Sequence, residues 1–431
     1  MGGGFAGLSA AVRLCELGHQ PTLFERRPML GGRAYSFEDQ QTGDTLDNGQ
    51  HVLMRCCTAV LGFLETIGAS DVHFESGFSY PFATVTGKRH RLEAPKWLPP
   101  DLGLLVAFLK FGPTSWRDAV GLRRILPYFE SPPGPITVNQ WLDDTAQSDA
   151  IRSSFWHPLC LSVMNATPDV AGARELVAVL AEAFSRTGGA NIGWSTVGLS
   201  DLYTDKAADY VESRGGQVVT NTFVDDISAT REGFDIAIRG EQTRTFNAAI
   251  LAVPPPRVKT LVEKLDPSLA TTLDGYQPSP ILGINLWFER DIMSEPILGL
   301  LGGTIEWVFD KRRIQGVEQG PLSLVVSASR HLLDKTDREL KEIALTDLRR
   351  AGLVNPAEEP YHTRIIHEKQ ATFIRPLTES SVTNGPHASG LFVAGDWTDT
   401  GFPPTIEGAV RSGAKAAELL NRELDPKKPE P

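Results

Sequence analysis

Apolar residues along this chain fall into short continuous runs, set apart by glycine- and proline-rich breaks. Leu8 to Leu17 reads as a short apolar helix that Gly18 stops. Pro21 to Phe24 reads as a strand, and Gly216 to Ile227 as two short strands. Ala248 to Val253 is an unbroken apolar run halted by Pro254-Pro255-Pro256, which suits a strand of a parallel sheet buried on both faces. Leu391 to Ala394 is a second such run. A helix follows from Ile406 to Leu420, entered through Pro403 and Pro404, which fix φ, with Thr405 as its N-cap. Between these segments lie strand patterns at Ile281 to Phe288 and Leu322 to Ser327. Helical patterns run from Arg174 to Phe184 and from Arg338 to Arg350. Strands alternating with helices make the fold class α/β.

The first helix opens on Gly2-Gly3-Gly4-Phe5-Ala6-Gly7, a G-x-G-x-x-G pattern at Gly2, Gly4 and Gly7. Gly2 permits a tight turn, Gly4 lets the backbone approach a pyrophosphate, and Gly7 lets helix and sheet pack closely. The helix N-terminus offers free N–H groups to phosphate. Glu25 stands 18 residues past Gly7, about where a carboxylate accepts a ribose hydroxyl. Such a motif belongs after a strand, and only Met1 precedes it here. The expectation is an upstream strand of about 5–6 mostly β-branched residues in the natural chain.

Further chemistry clusters elsewhere. Gly31-Gly32-Arg33 pairs a permissive backbone with a guanidinium suited to phosphate. Asp47-Asn48-Gly49-Gln50-His51 is a dense polar cluster, open to reading as a capped turn. Asp396, at a strand end, suits a sugar-like hydroxyl chain, and the start of the helix at Ile406 carries partial positive charge. No metal-ligand spacing occurs, so no metal site is expected. Asn165-Ala166-Thr167 matches a glycosylation sequon by pattern only.

Composition adds bounds. The 431 residues suggest two or three domains. A net charge of −11 argues against nucleic acid as a whole-surface partner. Four sparse cysteines, two of them adjacent, point to a reducing, cytoplasmic compartment. No apolar run reaches the roughly 18 residues of a membrane span. Charge is uneven, however: Lys88 to Arg124 holds eight basic and three acidic residues around the apolar run Leu102 to Phe111. That stretch is open to two readings. It is either a core helix with a basic flank, or a patch docked on an anionic membrane face with Trp97, Phe108 and Phe111 in the interface.

Together these segments resemble the FAD-dependent amine oxidase and phytoene desaturase superfamily, most nearly its hydroxysqualene dehydroxylase subgroup. The stretches that carry the narrower resemblance are Asp47 to His51, His157-Pro158-Leu159, Ala371-Thr372-Phe373 and Gly395 to Gly413. The resemblance implies a Rossmann-like FAD-binding domain, its first strand missing from the sequence as given, and an α+β substrate domain on a mixed sheet. The FAD domain would comprise residues 1–60, 198–258 and 386–424, and the substrate domain 61–197 and 259–385. Residues 425–431 would form a disordered tail. Gly2, Gly4, Phe5, Ala6, Gly7, Glu25, Arg26, Gly32 and Arg33 would hold the ADP half of FAD. Val224 would meet adenine through its backbone, and Gly395 and Asp396 the ribityl–pyrophosphate region. Thr405 and Ile406 would lie near the flavin ring. The implied substrate is an isoprenoid lipid, hydroxysqualene, reduced to squalene by an enzyme that is cytoplasmic or peripheral on the inner membrane face. The electron donor is left open. His51 and Asp47 are the candidate proton donors, with His157 a third, because a histidine's ordinary pKa near 6.5 needs little tuning. Trp307 and Phe373 are candidate tunnel walls. Competing readings are a carotenoid desaturase, a flavin amine oxidase and a non-catalytic prenyl-binding escort protein.

Overall fold

The structure, a computed structural model, describes residues 1–98, 100–185, 188–378 and 381–424. The expected tail at 425–431 lies outside the described residues. Two parallel strand pairs carry the glycine loop. Thr22–Phe24 pairs with Gln217–Val219, and Ala249–Leu251 pairs with Leu391–Val393. Residues 1 and 2 run between the pairs: the Gly2 N–H donates to the Phe24 carbonyl at 2.8 Å, and the Ala252 N–H to the Met1 carbonyl at 2.8 Å.

The first helix spans Phe5–Glu16 and begins earlier than the apolar run suggests, because Phe5 and Ala6 are themselves buried. The last helix, Ile406–Leu424, lies against it. Two glycines make these contacts possible. A Cβ on Gly7 would stand 1.8 Å from the Gly2 carbonyl oxygen, and one on Gly413 2.1 Å from that of Ala6. Side chains at either position would force the loop or the helix pair apart.

The second layer is a mixed seven-stranded sheet. Its order is His362–Ile374, Gln277–Trp287, Leu322–Val326, Trp307–Asp310, Ile297–Leu301, Ser79–Thr84 and Arg89–Glu93. Every neighbouring pair is antiparallel except Ile297–Leu301 with Ser79–Thr84. The helix Asp337–Arg350, started by a Thr336–Glu339 capping box, buries Leu340, Ala344, Leu345 and Leu348 against Ile284, Leu324 and their neighbours. A separate core joins Phe82 and Leu92 of the sheet to the helices Pro100–Lys110, Val138–Asp144 and Ala173–Phe184.

That core corrects one expectation. Phe108 and Phe111 are buried inside it and are not available to a membrane interface. The exposed apolar residues of this region are Trp97, Leu102, Leu109, Trp116, Val120 and Leu126, with Trp97 82% exposed. Among the described residues, no helix is long and apolar enough to cross a membrane.

Candidate functional site

One cavity of about 650 Å³ connects the glycine loops to the apolar face of the sheet layer. At its polar end, Gly4 starts the first helix without any side-chain cap, so the first-turn N–H groups beside Phe5 and Ala6 face the cavity unclaimed. The second glycine loop packs against the first. The Gly31 N–H donates to the Gly3 carbonyl at 2.8 Å. Gly32 has φ +58°, and a Cβ there would meet the Gly4 Cα at 2.9 Å. Glu25 is buried; its carboxylate accepts the N–H of Gly3 at 2.7 Å and of Arg27 at 2.9 Å. Two oxygens have room for further donors.

Arg26, Arg27, Arg33 and Arg257 share this wall. Arg33 pairs with Asp396 at 2.5 Å and donates to the Ala371 carbonyl at 3.0 Å, so the two groups expected to act separately on the cofactor are partners. The Val224 carbonyl accepts from Arg257 at 2.5 Å, which leaves the Val224 N–H and a second carbonyl lone pair for a ligand. Thr405 caps the last helix as expected, accepting the Gly408 N–H at 3.2 Å. An uncapped helix start and guanidinium groups are the donors that a pyrophosphate requires, and a buried carboxylate is the acceptor that ribose hydroxyls require. These residues fit FAD.

Of the residues singled out in the sequence, Gly2, Gly4, Phe5, Ala6, Glu25, Arg26, Gly32, Arg33, His51, Val224, Gly395, Asp396, Thr405 and Ile406 line the cavity. Gly7 and Asp47 do not. Gly7 acts through packing alone. Asp47 lies behind the wall and accepts from the Ser36 hydroxyl, the Leu199 N–H and the Lys311 ammonium, the last at 3.0 Å. With both partners of that ion pair buried, Asp47 is an anchoring carboxylate. His157 also misses the wall, which its neighbours Pro158 and Leu159 form. Trp307 lines the cavity, whereas Phe373 is wholly buried in the core.

His51 is desolvated by its surroundings. Burial pushes its pKa down, opposed by Asp47 and reinforced by Lys311. Burial therefore favours the neutral imidazole over the imidazolium. Its buried Nε2 has no hydrogen-bond partner in the protein, a costly state unless a ligand completes it.

Two residues with no site role in the sequence reading organise the wall. Glu407 is buried, accepts the N–H groups of Ala59 at 3.1 Å and Val60 at 2.9 Å, and pairs with Arg411 at 2.7 Å. It ties the start of the last helix to the start of the helix Thr58–Thr66. Asn165 is buried and left-handed at φ +47°. Its amide donates to the Ser279 carbonyl and the Thr372 hydroxyl and accepts the Ala328 N–H at 2.7 Å. The sequon amide is thus enclosed in the wall and fully engaged. Beyond Asn165 the cavity turns apolar, between Phe78, Phe82, Phe155, Leu159, Leu180 and Phe184.

The chain resembles known proteins along its whole length. It is 29% identical to a hydroxysqualene dehydroxylase of Sinorhizobium fredii, over 99% of this chain and 98% of that protein. It is 21% identical to a 15-cis-phytoene desaturase of Glycine max, covering 97% and 78% of the two chains. An oxidoreductase from Methanosarcina mazei has the same fold, with a TM-score of 0.74, 18% identity and coverage of 97% and 98%. The model of the flavin-containing amine oxidoreductases matches residues 5–421. With the glycine loops and the cavity they serve, that match means that the chain belongs to the flavin-containing amine oxidoreductase family and is an FAD-dependent oxidoreductase.

Proposed function

We propose that the protein removes the hydroxyl of hydroxysqualene reductively, giving squalene and water. The observation that carries this reading is the single cavity whose polar end suits FAD and whose other end is apolar. The S. fredii relative, matched end to end, supports the substrate. Reduced FAD, when bound, supplies a hydride. The chain's own residues do the rest. Gly2, Gly4, Glu25, Arg26, Arg33 and Asp396 hold the cofactor, and the apolar wall excludes water from the allylic cation left by hydroxide. His51 Nε2 accepts or donates one hydrogen bond to whichever ligand group reaches it. The test is product analysis after anaerobic incubation of reduced enzyme with hydroxysqualene. Squalene is expected; its absence, with FAD bound, overturns the reading. The phytoene desaturase relative favours a second reading, in which phytoene and an electron acceptor give a desaturated product instead.

We also propose that substrate is collected from an anionic lipid surface by the stretch from Trp97 to Leu126. Its exposed apolar side chains sit among the exposed bases Lys96, Lys110, Arg117, Arg123 and Arg124. The inner face of the helix Pro100–Lys110 packs on Phe82 and Leu92, which line the cavity. Docking would therefore set the bilayer over the apolar end. Co-flotation with vesicles containing phosphatidylglycerol, lost in the Trp97→Ser/Trp116→Ser variant, is expected. Equal flotation of both proteins overturns it.

A further inference from the structure

We propose that Glu306, acting through the Ser327 hydroxyl, is the proton store for the departing hydroxyl, Ser327 being the group that touches substrate. This rests on the dehydroxylation read above. Glu306 closes the turn between the strands Ile297–Leu301 and Trp307–Asp310, and its backbone is locked on both sides. The Leu300 N–H donates to the Glu306 carbonyl at 2.7 Å, and the Glu306 N–H donates to the Val325 carbonyl at 3.1 Å. Its carboxyl turns onto Ser327, accepting that residue's N–H at 3.1 Å with the Ser327 hydroxyl beside it. Ser327 is buried and forms part of the cavity wall. Trp307 and Val325 line the same wall, while Glu306, which precedes Trp307 and bonds Val325, does not reach it.

No cation among the described residues pairs with this carboxyl. The other carboxylate at the turn, Asp347, is spent on the N–H groups of Thr304 and Ile305. Desolvation pushes Glu306 up to about 7, so a substantial protonated fraction remains at neutral pH, where an ordinary carboxyl is ionised. Position agrees with the role. Ala328, next to Ser327, is held by Asn165, which also holds Thr372 beside Ala371, the carbonyl that Arg33 takes. The relay is thereby joined through Asn165 to the segment that Arg33 holds at the cofactor end of the cavity.

In the step, the C–O bond breaks with both electrons on oxygen. The Ser327 proton goes to that oxygen, water leaves, and the Glu306 proton replaces the one lost by Ser327. The allylic cation is closed by the hydride of the proposed reaction. Overall an alcohol, a proton and a hydride become a hydrocarbon and water. Solvent later reprotonates the carboxylate.

The test is single turnover of prereduced holoenzyme with hydroxysqualene and, in parallel, with its acetate ester, whose leaving group departs without a proton. Glu306→Gln and Ser327→Ala are each expected to slow the alcohol by about 100-fold or more, the lower range for a lost general acid. Both are expected to turn over the ester at close to the wild-type rate, and Glu306→Asp to recover part of the loss on the alcohol. Infrared difference spectra supply a readout independent of turnover: a protonated carboxyl band at neutral pH, absent in Glu306→Gln. Should one variant fail to fold, the other carries the same comparison. Wild-type rates on the alcohol in both variants, or an equal defect on alcohol and ester, overturn the relay while leaving the dehydroxylase reading intact. Wild-type enzyme that makes no squalene overturns both.

Discussion

Glu306 makes a prediction about stability that needs no substrate. Its carboxyl is raised from an ordinary 4.5 to about 7 by burial. A folded-state pKa above the unfolded one means that the native protein binds the proton more tightly. The contribution is therefore complete below about pH 4.5 and is lost as pH rises to about 7. The full linkage is about 3 kcal/mol at 1.36 kcal/mol per pH unit. The residue as a whole is partly exposed, and screening through that edge lowers the expected figure to between about 1 and 3 kcal/mol. Gln at this position keeps an acceptor for the Ser327 N–H and carries no charge to bury. The assay is urea unfolding of wild type and Glu306→Gln from pH 4.5 to 8. The variant is expected to gain relative stability steadily across that interval and to hold a constant margin above it. A difference that stays flat with pH, or that moves in the other direction, refutes the claim that Glu306 is stored protonated.

Three further outcomes are expected. Lys311→Met strands the buried Asp47 carboxylate and should cost about 3–5 kcal/mol in urea unfolding, much of it recovered in the Asp47→Asn/Lys311→Met pair. Gly7→Ala places a Cβ 1.8 Å from the Gly2 oxygen. It should cost about 3 kcal/mol or more and lower the flavin content measured by visible absorbance. Glu407→Gln weakens the tie to the Ala59 and Val60 N–H groups and leaves Arg411 only the longer pair with Glu182, an expected loss of about 1–3 kcal/mol by the same unfolding measurement.

What could be read from sequence, and what could not, divides by the distance between partners. The glycine loop, the acid after the strand Thr22–Phe24 and the Thr405 cap are local: each is a residue type at a fixed offset from an element it starts or ends. Residues acting at long range left no such mark. Glu407 meets Ala59 across 348 positions, Lys311 meets Asp47 across 264, and Arg33 meets Asp396 across 363. No spacing rule links them, and nothing local to Arg33 or Asp396 announces that the two share one ion pair. The basic stretch shows a different failure. Its helical period was present in the sequence, since Leu102 and Leu109 stand seven apart on one face while Ala107, Phe108 and Phe111 share the other. Choosing aromatics by type rather than by face sent Phe108 and Phe111 to the wrong side. His51 and Glu306 show the same substitution of type for surroundings. A histidine's ordinary pKa made His51 the natural acid, and an ordinary glutamate gave no reason to look at Glu306. Burial moves the two in opposite directions, lowering the histidine and raising the glutamate, because desolvation favours the neutral form. An apolar cavity that needs a proton at neutral pH will therefore tend to draw it from a carboxyl, and a histidine in the same wall is better suited to a neutral hydrogen bond.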